Sequence, residues 1–277
     1  MSIFDQKVIK YEMKPLSSLE KVFPDETPVY RMECQMLSGL WGETVSFQVA
    51  YTGDFVMRER LDVRVVSELA EHVHVRTVEM VPVGRATNGI VDDNYLKTTS
   101  GLYPDLLKDL KDGKVIVYSR QWRSLWVDVD ITNEIPAGEY EIEIQLIKEG
   151  EVVCSAKQKV TVIGTELPKL DIMHTEWMHA DCLADYYHVE VFSEEHWKLL
   201  ENYFQEYVKR DCNMMLTPLF TSPLDTAIGL ERTTCQLIDV EVKDGEYVFG
   251  FEKLKRWIDL CKKCGIEYFE MSHLFSQ

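Results

Sequence analysis

The 277-residue sequence lacks the long apolar segment that a membrane helix or an export signal requires. Residues 1–14 scatter charged side chains among their apolar ones, and no run of about 18 apolar residues occurs anywhere in the chain. We therefore expect neither a membrane partner nor export through an ordinary signal peptide.

Clustered positive charge is also lacking. The chain has 30 Lys and Arg against 47 Asp and Glu, which gives a formal net charge of −17. Proteins that bind nucleic acid neutralise phosphates with Lys and Arg, and no basic stripe is present to do so. The composition argues against a nucleic-acid partner and favours a neutral ligand held by specific contacts.

Paired cysteines are scarce. The seven Cys are scattered singly apart from Cys261 and Cys264, and this odd number favours reduced thiols in a cytoplasmic protein. The Cys261–Cys264 pair has the spacing of half a zinc or redox motif, but no second pair accompanies it. We interpret these cysteines as small buried apolar residues and predict no cofactor.

Apolar and aromatic residues are plentiful, at 45% and 11% of the chain, so a folded protein is expected. At ~100–200 residues per domain, this length predicts about two domains. Thr165-Glu166-Leu167-Pro168 reads as a linker between them. The predicted domains are residues 1–165 and 166–277.

Residues 1–165 carry short β-type runs separated by Gly, Pro and Asn, a pattern typical of an antiparallel β-sandwich. In the clearest run, apolar Ile142, Ile144 and Leu146 alternate with acidic or amide residues. The predicted strands are Val29–Leu37, Glu43–Tyr51, Leu61–Ser67, Val73–Val83, Trp122–Ile131, Gly138–Ile147 and Val152–Ile163. The stretch Val91–Asp112 interrupts them, and Pro104–Leu110 is predicted to form one or two helical turns.

Residues 166–277 alternate strand and helix, which predicts adjacent parallel strands joined by right-handed crossovers. An inserted hairpin is predicted around Lys243-Asp244-Gly245, because Asp-Gly between alternating runs favours a tight turn. In chain order we predict a strand at Leu170–Trp177 followed by a polar loop, a helix from Ser193 to Arg210, a strand at Asn213–Phe220, hairpin arms at Gln236–Val242 and Glu246–Phe251, a helix at Glu252–Cys264 and a strand at Glu267–Phe275.

Two architectures fit this order of elements. An open three-stranded sheet would expose the edge of its third strand, which leaves self-association open. A (β/α)8 TIM-type barrel typically takes ~250 residues, far more than residues 166–277 provide. We therefore expect the first three β/α units of an incomplete barrel.

Barrel active sites lie at the carboxyl ends of the strands, where this sequence places polar and aromatic side chains. Trp177 could stack on a ring of a small polar ligand, while the other side chains could bind its polar groups. The candidate substrate-binding residues are His174, Glu176, Trp177, Asp181, Asp225, Arg232, Glu270 and His273. The alternatives are a packed loop aromatic for Trp177, buried hydrogen-bonded histidines, and an Arg232 that neutralises Glu231 or Asp225.

A metal site is a competing hypothesis for the same stretch. Side chains of ligand type occur at His174, Glu176, His179, Asp181 and Cys182. Their spacing matches no established ligand pattern such as H-E-x-x-H, so we predict no metal.

Three stretches resemble proteins that contain the domain of unknown function 4091, which are similar to glycoside hydrolase family 123. These are His174–Tyr187 (HTEWMHADCLADYY), Leu216–Thr226 (LTPLFTSPLDT) and Glu231–Thr234 (ERTT), and Ser124–Tyr140 looks like the family's N-terminal sandwich. The resemblance implies a β-sandwich followed by a (β/α)8 barrel with a carbohydrate substrate.

The resemblance also implies retaining hydrolysis of an N-acetylhexosaminide, in which the 2-acetamido group of the substrate attacks the anomeric carbon. In the family, an Asp–Glu pair after a later barrel strand orients that group and protonates the leaving oxygen. No Asp-Glu dipeptide follows Thr165, so no catalytic residue is assigned and we expect this chain to lack hydrolase activity. The alternative functions are a non-catalytic carbohydrate-binding or accessory protein, and a metal-dependent enzyme.

Overall fold

The computed structural model describes residues 10–28, 36–55, 58–87, 89, 91–169, 171–221 and 231–272. The chain divides into two compact units, Met1–Pro168 and Lys169–Gln277. Among the residues described, no helix is long and apolar enough to cross a membrane.

The described part of the first unit is built from β-strands, with a 3-10 turn at Ala70–His72. The strands in its described part are β1 (Lys10–Ser17), β2 (Met36–Trp41), β3 (Thr44–Asp54), β4 (Glu59–Val66), β5 (Val73–Val83), β6 (Gly101–Asp109), β7 (Lys114–Val117), β8 (Arg123–Asp130), β9 (Gly138–Lys148) and β10 (Glu151–Glu166). Of the predicted strand Val29–Leu37, residues 29–35 lie outside the described part of the chain, and the last two belong to β2.

These strands form two five-stranded sheets, in the orders β1-β3-β8-β5-β6 and β2-β10-β9-β4-β7. The predicted antiparallel pairing holds except at β2 and β10, which run parallel. An antiparallel neighbour often follows from a short hairpin, whereas parallel strands need a long connection. Most of the unit lies between β2 and β10 in the chain, so no hairpin constrains them.

Both sheets bury one face in a single apolar core. Leu125, Val127 and Val129 of β8 contribute from one sheet, and Ile142 and Ile144 of β9 contribute from the other. The inward residues of each strand are two positions apart, as the pleat of a half-buried strand requires. The predicted alternation in β9 therefore identified the core face correctly.

The helical turns predicted at Pro104–Leu110 are wrong, because residues 104–109 lie in β6. Pro104 pairs with Met80 at the point where the register between β5 and β6 shifts. Since β6 is the edge strand of its sheet, a residue without an amide hydrogen is tolerated there. β1, another edge strand that the sequence did not predict, also contains a proline, Pro15.

The second unit contains helices, a parallel pair of strands and a hairpin. Its elements are α1 (Ala180–Tyr187), α2 (Glu194–Val208), β11 (Met214–Thr217), β12 (Asp239–Lys243), β13 (Glu246–Gly250), α3 (Glu252–Cys264) and β14 (Tyr268–Met271). β11 pairs with β14 in parallel, and β12 pairs with β13 in antiparallel register.

Local capping and turn residues explain why α2, the hairpin and α3 were predictable. Ser193 Oγ accepts a hydrogen bond from the amide of His196 at the start of α2. Gly265, with a φ of 103°, ends α3 at the predicted residue. In the hairpin turn, Asp244 and Gly245 both have positive φ, as a two-residue type I′ turn requires.

The strand predicted at Leu170–Trp177 is wrong for residues 171–177, which belong to no strand (Leu170 lies outside the described residues). The Asn213 side chain occupies the positions that backbone ladder bonds would fill. Its Nδ2 donates to the Ile172 carbonyl and its Oδ1 accepts from the His174 amide, both at 2.8 Å. The segment is therefore tied to the start of β11 by the Asn213 side chain, in addition to the bonds that the His174 carbonyl accepts from the Asn213 and Met214 amides.

The polar loop predicted after that segment is also wrong over residues 180–187, which form α1. Ala180, Leu183 and Ala184 are buried and lie at the i, i+3 and i+4 positions of one helix face. Two of these three buried residues are alanines, and the helix is only eight residues long, so the helical periodicity of its apolar residues is weak.

Candidate active site

The carboxyl ends of β11 and β14 meet at a small cavity of about 20 Å³, which is room for about one water molecule. Pro218 and Thr221 follow β11, Ser272 follows β14, and all three line this cavity. Asp181 of α1 and Arg232 line it from the opposite side of the same unit. The residues that sequence patterns placed near strand ends thus include two that meet here.

Asp181 and Arg232 form a buried, two-pronged ion pair. Arg232 Nε donates to Asp181 Oδ2 at 2.5 Å and Nη2 donates to Oδ1 at 2.9 Å, and the side chains are 8% and 14% exposed. One residue further on, Thr233 Oγ1 donates to Asp185 Oδ1 at 2.8 Å. Residues 232–233 are therefore fastened along α1, and charge-assisted bonds of this geometry are among the strongest available to a protein.

Trp177 and Glu270 form a second pair. Trp177 Nε1 donates to Glu270 Oε2 at 3.0 Å, and the tryptophan is 53% exposed. Glu270 lies beside Leu216 in the register of β11 and β14, whereas their neighbours Met215 and Phe269 pack into the helix core. Because successive side chains alternate between faces, Trp177 and Glu270 lie on the strand face that points away from the helices. An exposed indole held by its N–H can present its ring to a ligand.

His174 lies at the opposite end of β11 from Arg232, not at the carboxyl end as predicted. Its carbonyl accepts from the amides of Asn213 and Met214 at 3.0 and 3.1 Å, where β11 begins. Its ring Nδ1 lies 3.2 Å from the Asp211 carbonyl, and Nε2 lies 3.6 Å from a carboxylate oxygen of Glu176. The prediction assumed a strand that ended near residue 177, and the side-chain pairing of Asn213 instead sets His174 beside the start of β11.

Tyr207 is an important residue that the sequence patterns did not single out. Its hydroxyl accepts from the Glu176 amide at 2.8 Å and donates to the Met214 carbonyl at 2.6 Å. Burial raises the pKa of Tyr207, so the hydroxyl keeps its proton. Tyr207 therefore holds the segment that carries Trp177 against β11.

His196 was missed altogether. It is fully buried, its Nδ1 accepts from the Phe192 amide at 2.9 Å, and its Nε2 lies 3.0 Å from the Ala180 carbonyl. A nitrogen that accepts an N–H bond carries no proton, so Nε2 holds the hydrogen and donates it. Burial also lowers the pKa of His196. Its position four residues before Leu200, on the buried stripe of α2, is the signal that could have identified it.

The remaining predicted residues divide into two groups. Glu176 has a solvent-exposed carboxylate, while Asp225 and His273 lie outside the described residues. Among the described residues, no group of three or more His, Cys, Asp or Glu side chains is placed to hold a metal ion. Burial raises the pKa values of Cys261 and Cys264, which suits inert buried thiols better than metal or redox chemistry.

Comparisons with known proteins show which family the chain resembles. Residues 177–277 match the family model described as the glycoside hydrolase 123 catalytic domain. Among solved structures, a family 123 glycoside hydrolase from Clostridium perfringens, studied for glycolipid glycan hydrolysis, is similar with a TM-score of 0.68 and 14% identity. The match covers 93% of this chain and 46% of that one, so the chain spans less than half the length of that enzyme.

A β-glucosidase from Listeria innocua in complex with isofagomine matches more weakly, with a TM-score of 0.27 and 10% identity over 58% of this chain and 17% of that one. No curated protein matches the sequence. The family match covers Trp177, Asp181, Arg232 and Glu270, and the resemblance found in the sequence is confirmed. The chain is a glycoside hydrolase family 123-like protein, whose match to the catalytic domain of that family lies in residues 177–277.

Proposed function

We propose that this chain is the N-terminal portion of a carbohydrate-active glycoside hydrolase and that its second unit helps to bind the sugar. The observation that carries the proposal is the family match, which includes both residue pairs of the candidate site. In this proposal residues 1–165 form an accessory β-sandwich domain and residues 166–277 begin the hydrolase domain. The odd number of cysteines supports a cytoplasmic location for it.

The second unit is, in this proposal, the beginning of a (β/α)8 barrel. The parallel pairing of β11 with β14 across α3 supports this assignment, because a strand–helix–strand unit is the building block of such barrels. The segment at residues 171–177 takes the position of a first strand beside β11, although it makes its contacts through Asn213 and Tyr207. The cavity at the carboxyl ends of β11 and β14 is where a barrel places its substrate.

Each pair has a separate task in binding. The exposed ring of Trp177 stacks on the apolar face of a sugar, and the hydrogen bond that its Nε1 donates to Glu270 fixes the plane of the indole. Asp181 and Arg232 bind each other through two hydrogen bonds, so their task is to hold α1 and the residues after Arg232 at the edge of the site.

The family chemistry is the substrate-assisted hydrolysis of an N-acetylhexosaminide, in which the acetamido oxygen attacks the anomeric carbon while an acid protonates the leaving oxygen. An Asp–Glu pair performs the orienting and proton-donating steps in the family. Residues 166–277 contain no such dipeptide, so we propose that the 277-residue chain binds the sugar without cleaving it.

Binding is tested by titrating the 277-residue chain with the methyl β-glycosides of N-acetylglucosamine and N-acetylgalactosamine, followed by NMR. Trp177→Ala should abolish binding at residues 171–272, whereas Trp177→Phe should retain much of it because the stacking ring is kept. Equal affinity in the wild type and in Trp177→Ala would contradict the proposed role of the indole.

Catalysis is tested with p-nitrophenyl N-acetyl-β-hexosaminides. We expect no turnover above the uncatalysed rate, since the chain lacks the Asp–Glu pair. Turnover that depends on this chain would show that another group supplies the acid.

The second candidate function is a non-catalytic carbohydrate-binding or accessory protein. The same absence of an Asp-Glu dipeptide after Thr165 favours it. Both functions predict sugar binding. An experiment that distinguishes them is to add to the chain a hydrolase domain that carries the catalytic pair and to measure cleavage. Restored cleavage would favour the hydrolase portion, and unchanged binding without cleavage would favour the accessory protein.

A further inference from the structure

A cavity of about 560 Å³ opens on the first unit and is lined by none of the residues that the proposed function uses. Its volume lies in the range of small-molecule binding sites, whereas the cavity beside Asp181 and Arg232 measures about 20 Å³. Three parts of the first unit line it: Lys21 and Phe23, the strands β5 and β6 at Val81 and Tyr103, and the stretch 92–97 with Ala86.

The wall formed by residues 18–24 is held firmly in place. The side-chain Nε2 of Gln48 donates to the carbonyls of Ser17, Ser18 and Glu20 at 3.3, 3.2 and 2.7 Å. The Trp122 amide donates to the Pro24 carbonyl at 3.0 Å. This wall therefore exists before any ligand arrives, which reduces the ordering cost of binding.

The aromatic rings at the cavity have different roles. Phe23 is buried, meets the edge of Tyr103 at a centroid distance of 5.8 Å and has Lys97 Nζ over its face at 3.9 Å, so its ring is already occupied. Tyr95 is 47% exposed and makes no ring contact with any described residue. Its ring is available to stack on a ligand in the cavity.

Polar groups at the cavity are also available. The side chains of Lys21, Asn94 and Asp105 form no hydrogen bond or ion pair with any residue that the structure describes. Together they offer donors and acceptors around an apolar surface, which suits a molecule that carries hydroxyl groups on a ring with apolar faces.

The charges argue against an anionic ligand. Lys97 is paired with Glu26 at 2.7 Å and Asp25 at 3.3 Å, so its charge is already neutralised. The acidic residues Asp92 and Asp105 also line the cavity, and a phosphate or carboxylate would meet their charge. A purely apolar ligand would leave the three available polar side chains unused.

We propose that this cavity is a saccharide-binding site, in which Tyr95 stacks on a sugar ring and Asn94, Asp105 and Lys21 bind its hydroxyl groups. The site is separate from the one in Lys169–Gln277 and shares no residue with it. The inference therefore does not depend on the function proposed for the second unit.

The experiment is calorimetric titration of the 277-residue chain with four defined sugars: cellotriose, chitotriose, and the methyl β-glycosides of N-acetylglucosamine and N-acetylgalactosamine. We expect at least one to bind, and Tyr95→Ala to weaken that binding roughly tenfold or more by removing the stacking ring. Tyr95→Phe keeps the ring and should retain the affinity. Tyr186→Ala, a matched change at an exposed tyrosine of the second unit, should behave as the wild type.

Two further measurements decide between outcomes. Binding that survives in Trp177→Ala but is lost in Tyr95→Ala supports the cavity, and the reverse pattern overturns it in favour of the second unit alone. The proposal is also overturned if none of the four sugars binds at millimolar concentration. It is equally overturned if a hydrophobic dye such as anilinonaphthalene sulfonate binds in a Tyr95-dependent way while no sugar competes, since the cavity would then take apolar ligands.

Discussion

The two units hold their elements together by different means. In the first unit, backbone ladders join all ten described strands into two sheets, and one apolar core lies between them. In the described part of the second, β11 and β14 form a ladder besides the hairpin, and side chains help to attach the neighbouring segments: Asp181 to Arg232, Tyr207 to Glu176, and His196 to Ala180. Individual polar side chains should therefore matter far more in the second unit.

The exposed apolar surface shows the same contrast. α2 and α3 cover one face of the β11–β14 ladder, through Trp197, Phe204 and Trp257. Ile172, Met173 and Tyr268 remain exposed near the other face or the edges of this ladder. With less apolar burial per strand, a unit of this kind relies more on its buried polar contacts.

The largest expected effect comes from breaking the buried ion pair. Arg232→Met should lower the free energy of unfolding of the second unit by about 3–5 kcal/mol, because it leaves Asp181 buried without its partner. Hydrogen exchange measured separately for the two units should show the loss in Lys169–Gln277 alone.

The matched control is Arg256→Met, which removes an arginine that also grips a carboxylate with two nitrogens. Its pair with Glu194 is exposed, at 45% and 83%, so the expected cost is about 0–1 kcal/mol. Equal losses of unfolding free energy in the two variants would show that burial does not make the Asp181–Arg232 pair more stabilising than an exposed pair.

A core truncation tests the first unit in the same way. Ile144→Ala should cost about 2–5 kcal/mol, since the side chain is fully buried between the two sheets. Hydrogen exchange should rise across Met1–Pro168 as a whole and stay unchanged in the second unit. A loss confined to β9 would contradict a single shared core.

Removing one hydroxyl should have a smaller effect in the second unit. Tyr207→Phe leaves the ring in place but frees the Glu176 amide and the Met214 carbonyl, at an expected cost of about 1–3 kcal/mol. Tyr203→Phe is the control, because among the described residues the Tyr203 hydroxyl hydrogen-bonds only to the exposed Tyr187 hydroxyl, at 3.1 Å. If the comparison between the units is correct, exchange should rise at residues 171–177 in the first variant alone.

The smallest effect expected is a pH dependence confined to the second unit. Burial lowers the pKa of His196 below its ordinary value, so the unfolded chain binds a proton more readily than the folded one. The stabilisation is complete above the ordinary pKa of ~6.5 and is lost as the pH falls below it. Denaturant unfolding between pH 8 and 5 should show this fall, and His196→Gln should flatten it.

Much of the fold was predictable where local signals agree. The alternation in β9, the Asp-Gly turn and the cap and stop of α3 each act within a few residues, so the sequence carries them directly. The errors occur where a distant partner decides. β6 is a strand because β5 pairs with it, and the Asn213 side chain takes the Ile172 carbonyl and the His174 amide that a strand at residues 171–177 would use in a ladder.

The candidate site shows the same division. Trp177 with Glu270, and Asp181 with Arg232, were predicted as site residues, and the structure brings each pair together. The pairing itself could not be predicted, since the partners lie far apart in the chain. Tyr207 and His196 were overlooked because a polar residue on a buried helix stripe has no local pattern that states its bonding partner.

The parallel pairing of β2 with β10 has a consequence for biosynthesis. Because β10 closes the first unit at Glu166, β2 emerges from the ribosome long before the strand that will lie beside it. Until then the amides and carbonyls of Met36–Trp41 are an open edge that another nascent chain could pair with. Correct folding therefore requires that Met36–Trp41 stay unpaired until β10 has been synthesised.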